Sequence, residues 1–184
     1  YDGRFDEISK FLTESDADII GLQEVVPKDS SRDIIGYLAR LGYNHVFVPS
    51  LKIYWKENDH RTFGNAIFSK SKIIRTETYN LSEIDNRKAV RADISLGGAA
   101  LHVFSTHLIH THQEPSVVQE KQAENLIKLL PSERTILIGD FNATPDSAAI
   151  KNINKVLVDS DPSSAPTWSV YPEGCPRCNP QGLD

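Results

Sequence analysis

Three short apolar runs end abruptly in polar side chains, and this shared design constrains the fold more than any other feature of the chain. They are Ile19-Ile-Gly-Leu-Gln-Glu24, Leu101-His-Val-Phe-Ser-Thr-His107 and Ile136-Leu-Ile-Gly-Asp140-Phe-Asn142. Runs this short and this apolar read as strands covered on both faces. Where such strands are neighbours, their ends meet at one rim of a sheet, the place where α/β proteins put ligand sites.

The segments between them fill in the architecture. Phe5, Ile8, Phe11 and Leu12 recur at helical spacing and predict an amphipathic helix over 4–14. Ile34, Ile35, Leu38 and Leu41 predict a second helix, closed by Gly42. Strands are expected over 43–48, 63–69, 72–79, 89–96, 100–106 and 135–139, with Gly97-Gly98 as a hairpin turn. A long helix over 115–130 would turn Val117, Val118, Ala123, Leu126, Ile127 and Leu130 inward. Residues 51–62 are polar and aromatic without a period and read as an exposed loop. After Ile150 the pattern weakens. Helices thus flank a strand-rich middle, which two sheets packed face to face would bury between outer helices. Periodicity alone does not separate that arrangement from a single mixed sheet. Neither a repeat nor a low-complexity linker divides the 184 residues, so one domain is expected.

Composition narrows the chemistry. The chain carries 20 Lys and Arg against 25 Asp and Glu, a net charge of −5, which leans away from nonspecific binding of long DNA or anionic membranes. No apolar run approaches the ~20 residues that a membrane-spanning helix needs. Cys175 and Cys178 form a single Cys-x-x-Cys, half of what a structural zinc commonly requires, and read as a local disulfide or two thiols. His110 and His112 read as loop residues, because no carboxylate or Cys joins them at fixed spacing. Glu24, Asp140 and Asn142 make an oxygen-rich set at the strand ends, and hard oxygen donors select Mg²⁺, with Mn²⁺ or Ca²⁺ as alternatives, over Zn²⁺. Asp140 and Asn142 lie two residues apart, so both point to one face if the strand continues; alone, such a pair more often caps a turn.

Five stretches in order carry a resemblance: Asp18-Ile-Ile-Gly-Leu-Gln-Glu-Val, Phe63-Gly-Asn-Ala-Ile-Phe-Ser-Lys, Asn86-Arg-Lys-Ala-Val-Arg-Ala-Asp-Ile, Val103-Phe-Ser-Thr-His-Leu and Ile136-Leu-Ile-Gly-Asp-Phe-Asn-Ala-Thr-Pro. Together they resemble the endonuclease/exonuclease/phosphatase superfamily of DNase I-like nucleases, inositol polyphosphate phosphatases, sphingomyelinases and deadenylases. The resemblance implies a DNase I-like, four-layer α/β/β/α sandwich with two packed mixed sheets. It also implies hydrolysis of a phosphate ester by a Mg²⁺-activated water. Carried over, Glu24 matches the family's metal-ligand glutamate, and Asp140 and Asn142 match the pair that positions the attacking water and phosphoryl oxygens. His107 matches the phosphate ligand or proton donor. Asn65 and Arg87 lie in family blocks at less diagnostic positions and are expected to contact substrate.

The family pattern opens with a strand bearing an Asn and closes with a strand bearing Ser-Asp-His, whose Asp–His pair is the general base. Neither is found in these 184 residues. The expectation is therefore a single domain over 1–184 lacking its first and last strands, with the base supplied from outside. The substrate expected is a phosphate ester: nucleic acid, phospholipid head group or inositol phosphate. Tyr54, Trp55 and Lys56 in the open loop could stack on a base or enter a membrane surface. No obligate protein partner is implied, and a monomer is expected. The alternative is a catalytically inactive binding module that keeps the same fold.

Overall fold

The structure is a computed structural model that describes residues 4–27, 33–52, 62–111 and 114–161. Its elements run α1 (Arg4–Ser15), β1 (Ile19–Val25), α2 (Ile34–Arg40), β2 (Asn44–Lys52), β3 (Thr62–Ser69), β4 (Ile73–Asn80), β5 (Lys88–Leu96), β6 (Ala99–His107), α3 (Val117–Ile127), β7 (Thr135–Asp140) and α4 (Ala148–Ile153). The strands form two sheets, in the orders β1-β3-β2 and β4-β5-β6-β7. The first pairs antiparallel throughout; the second is mixed, because β6 and β7 run parallel. A parallel pair needs a crossover connection, and α3 lies in that connection.

Three apolar clusters show how the layers stack. Leu12, Leu38, Tyr43 and Phe68 join α1 and α2 to the outer face of the three-stranded sheet. Val48, Ile67, Val90, Ala92, Ile94 and Val103 lie between the two sheets. Leu81, Phe104, Leu108, Leu126, Ala149 and Ile153 join the four-stranded sheet to α3 and α4. The order is the expected α/β/β/α, and two sheets rather than one explain why β3 is buried along most of its length. Fully burying a side chain such as Phe68 or Phe104 removes it from water for a gain of about 1.5–3 kcal/mol.

Local chemistry accounts for the turns. Gly97 and Gly98 both take positive φ, at 62° and 80°, and link Leu96 to Ala99 in the two-residue hairpin expected of a Gly-Gly pair. Gly21 of β1 has no side chain because Ile138 of β7 is there: an added Cβ would stand 2.7 Å from its Cγ2. This contact brings β1 down onto the far sheet close to the strand ends.

The helices depart from the sequence reading. In α1, Leu12 and Ser9 are buried, while Ile8 and Phe11 are exposed, so the inward stripe is narrower than the apolar spacing suggests. In α3, Val117 is 82% exposed and the buried positions are Gln119, Gln122, Ala123 and Leu126. That helix is also shorter than 115–130, starting at the Ser116 cap, whose hydroxyl accepts from Gln119 N–H at 3.3 Å. The short α4, capped by Ser147, falls where the sequence pattern faded. Tyr54, Trp55, Lys56, His112, Cys175 and Cys178 lie outside the described residues.

Candidate active site

The parallel register of β6 and β7 sets His107 opposite Asp140 at the ends of the two strands. His107 Nε2 lies 3.5 Å from Asp140 Oδ2. The strand stops at Asp140, so the two-residue alternation that would carry Asn142 along the same face is lost. Instead Asn142 takes a left-handed φ of 50°, its N–H donates to Asp140 Oδ1 at 2.9 Å, and its Nδ2 donates to Leu108 O at 3.0 Å. Asn142 therefore anchors the Asp140 carboxylate and ties the loop after β7 to the end of β6.

Glu24 reaches the rim from the other sheet. The β1–β3 register slips between Leu22 and Val25, and Glu24 sits in that irregularity with φ 56°. Non-glycine residues enter this region at a cost of order 1–3 kcal/mol, and bulges beside functional sites re-aim side chains. Glu24 stays open to solvent. Protein packed around it still raises its pKa by desolvation, Asp140 adds repulsion, and Arg87 partly offsets both.

Arg87, in the turn before β5, completes the cluster. Burial pushes its pKa down, while Asp85, Glu24 and Asp140 act in the opposite direction, and it remains a cation at neutral pH. Its Nη1 is buried with no hydrogen-bond partner among the described residues. His107 is 6% exposed; burial, then Arg87, lower its pKa to about 4, with Asp140 opposing and His110 adding to the fall. The ring is thus neutral at pH 7.

Asn65 sits differently. It is 1% exposed between the sheets, where its Nδ2 donates to Lys88 O at 2.9 Å; Thr106 Oγ1 donates to the same carbonyl at 3.3 Å. Its Oδ1 has no hydrogen-bond partner among the described residues. Lys88 Nζ answers across the gap to Pro49 O at 3.0 Å, and Gln23 Nε2 donates to Ser105 Oγ at 3.1 Å. Glu24, Arg87, His107 and Asp140 thus interact electrostatically at the strand ends, while Asn65 and Asn142 are hydrogen-bonded to the backbone beside them.

Sequence reasoning missed three residues around the cluster: Asp85, whose Oδ1 accepts from Arg87 N–H at 3.0 Å, and the buried Gln119 and Gln122. A signal for the glutamines was available, since 119, 122, 123 and 126 follow the i, i+3, i+4, i+7 spacing of one helix face.

The donor set suits a hard divalent ion. Glu24 and Asp140 offer oxygens that repel each other, and among the described residues no three His, Cys, Asp or Glu side chains gather into a metal-holding group. One or two carboxylates with the remaining positions left to water is the habit of Mg²⁺.

The sequence pattern of the "Endonuclease/Exonuclease/phosphatase family" matches residues 1–182. Among curated protein sequences nothing matches. Solved structures do. The human Nocturnin catalytic domain with bound sulfate anion aligns at 22% identity and TM-score 0.66, over 84% of this chain and 62% of that one. ANGEL2, described as a 2',3'-cyclic phosphatase, aligns at 22% identity and TM-score 0.67, over 83% of this chain and 47% of its own. TDP2 of D. rerio, complexed with single strand DNA product, aligns at 20% identity and TM-score 0.60, over 84% and 59%. At these identities the likeness is one of fold, and the chain spans about half to three-fifths of the length of each.

Proposed function

The chain belongs to the endonuclease/exonuclease/phosphatase family, and from that premise we propose that it hydrolyses phosphate esters with Mg²⁺ as cofactor. The observation that carries the reading is Arg87: a guanidinium with a buried, unpartnered Nη1, set among Glu24, Asp140 and a neutral His107. A buried donor without a partner costs about 1–3 kcal/mol, and a phosphoryl oxygen is the acceptor that would satisfy it.

Glu24 would hold Mg²⁺, with Asp140 facing it. When bound, the ion supplies Lewis-acid stabilisation of charge on the phosphoryl group. Asp140, fixed by the Asn142 N–H, orients the attacking water in line with the leaving oxygen. His107, neutral at pH 7, donates a hydrogen bond to a non-bridging oxygen; a pKa of about 4 makes it a poor source of a full proton for the leaving group. Arg87 neutralises the phosphoryl charge, and Asn65, buried between the sheets, supports it from behind by donating from Nδ2 to the Lys88 carbonyl. The substrate is a nucleotide, nucleic acid or phosphorylated head group. The net charge of −5 favours a short or small substrate over long duplex DNA.

The test is Glu24→Ala in the full-length protein, assayed on a chromogenic phosphodiester and titrated with Mg²⁺ by calorimetry. Loss of at least 100-fold in kcat/KM together with lost Mg²⁺ binding is expected. Wild-type turnover and metal affinity in the variant would refute the assignment. A wild-type protein that binds phosphate esters but turns none over would instead identify a binding module.

A further inference from the structure

The inward face of α3 is polar where it meets the site. Gln119 is 4% exposed and Gln122 fully buried, ahead of Ala123 and Leu126 on the same stripe. Leucine at both positions would complete an apolar face against the sheet. A buried amide costs free energy unless its hydrogen bonds are made, and here they are made to three different site segments. Gln122 Oε1 accepts from Ile109 N–H at 2.9 Å, two residues past His107, and its Nε2 donates to Asp85 Oδ2 at 2.8 Å. The other oxygen of that carboxylate accepts from Arg87 N–H at 3.0 Å. Gln119 Nε2 faces Asn142 O at 2.7 Å, Ile109 O at 3.0 Å and Phe141 O at 3.3 Å.

We infer that Gln122 and Gln119 are positioning residues of the site: Gln122 fixes Arg87 through Asp85, and Gln119 holds the Asn142 turn that anchors Asp140. The inference rests on the phosphate-ester reading above, since it assigns Arg87 to the phosphoryl group. Gln122 is suited to the task because its two ends cannot exchange roles. The backbone N–H of Ile109 needs an acceptor, and the Asp85 carboxylate needs a donor. One side chain thereby couples the loop carrying Arg87 to the segment that follows His107. Glu24, on the opposite sheet, lies outside this chain of contacts.

That separation gives the experiment. Gln122→Glu sets carboxylate against carboxylate at Asp85, and Asp85→Asn leaves a single acceptor oxygen for two donors, so an amide N–H must face either Gln122 Nε2 or the Arg87 N–H. Each single change breaks a bond in the Gln122–Asp85–Arg87 chain at nearly constant volume. The double change restores a complementary pair with its polarity reversed: the new amide N–H at position 85 donates to the new carboxylate at position 122, and the amide oxygen is free to accept from Arg87 N–H. Affinity for inorganic phosphate and for Mg²⁺ would be measured separately by calorimetry on the full-length protein, beside kcat and KM. Each single variant should bind phosphate at least tenfold more weakly and lose kcat, while Mg²⁺ affinity stays within twofold. The double variant should recover at least threefold over either single one. If one single variant fails to fold, the other carries the same comparison against the wild type and the double variant. Equal losses of phosphate and Mg²⁺ binding would show a merely structural role and overturn the inference. So would a double variant no better than the worse single. Arg87→Ala separates the two levels. If it leaves phosphate affinity unchanged, the functional reading of Arg87 falls. If it abolishes phosphate binding while Gln122→Glu does not, only the positioning role falls.

Discussion

At the scale of single residues, His107 shows how burial decides chemistry. Its pKa falls from 6.5 to about 4, chiefly by desolvation and then by the Arg87 charge. Between those values the unfolded chain takes up a proton that the folded one refuses, so stability must fall as pH drops from 6.5 towards 4. Above 6.5 the residue makes no contribution to the slope. A shift of that size corresponds to about 3 kcal/mol of lost stability. The measurement is a series of urea midpoints in chelator at pH 7, 6, 5 and 4.5, for the protein and for His107→Gln. The variant should lose less stability over this window, and parallel curves for the two would mean that His107 titrates normally. The residues proposed to do chemistry were legible in the sequence because they are chemically conspicuous: a Glu, a His and an Asp, each ending an apolar run. Asp85 was not, and for Gln119 and Gln122 only their inward helical spacing was readable, not their partners. Those partners lie on loops that meet only in the folded chain, and nothing in the residue types announces such a meeting.

Elements were legible in proportion to their regularity. The Gly97-Gly98 hairpin was readable because a turn with positive φ at both positions demands such residues. The strands were readable from their apolar runs, although β2 continues to Lys52 past an irregularity at Pro49, where a missing N–H disturbs the ladder. Helix faces were read less well. Apolar spacing in α3 points to Val117, but the polar demands of the site loops turn Gln119 and Gln122 inward instead. A six-residue helix such as α4 is too short to show a period at all. A prediction at this scale concerns Gly21, where β1 touches β7. In Gly21→Ala the new methyl would meet Ile138 Cγ2 at 2.7 Å and Cβ at 3.0 Å. A β-branched side chain has little freedom to withdraw, so the sheets must part slightly. Such overpacking costs about 1–3 kcal/mol, and it acts four residues from the end of β1. Thermal denaturation should show that loss, and kcat/KM should fall more than in Ile74→Ala on the exposed outer strand. An unchanged midpoint would mean that the sheets yield freely at this contact.

At the scale of the whole molecule, the candidate site lies on a seam between two sheets that are separate hydrogen-bonded units. Glu24 belongs to one; Asp140, His107 and the turn carrying Arg87 belong to the other. The seam is closed by apolar packing and by bonds across it, Gln23 to Ser105, Asn65 to Lys88 O and Lys88 to Pro49 O. At the rim, however, desolvation and the Asp140 charge work against the ionised Glu24. The protein without metal is therefore held in a state that its own carboxylates oppose, as a site built for function rather than stability would be. A divalent ion held at Glu24, as proposed above, would reverse that balance. A ligand that binds only the folded state stabilises it by about 2.7 kcal/mol at a hundredfold excess over Kd, so Mg²⁺ should raise the thermal midpoint by several degrees. Glu24→Gln keeps the shape of the side chain and removes the charge. In chelator the variant should melt at or above the wild-type temperature, because the opposed charge is gone. In saturating Mg²⁺ it should melt below the wild type, because its ligand is gone. The two melting curves must therefore change order between the two buffers. A variant less stable than the wild type in chelator would show that the Glu24 charge supports the fold. A variant that gains as much from Mg²⁺ as the wild type would place the ion elsewhere.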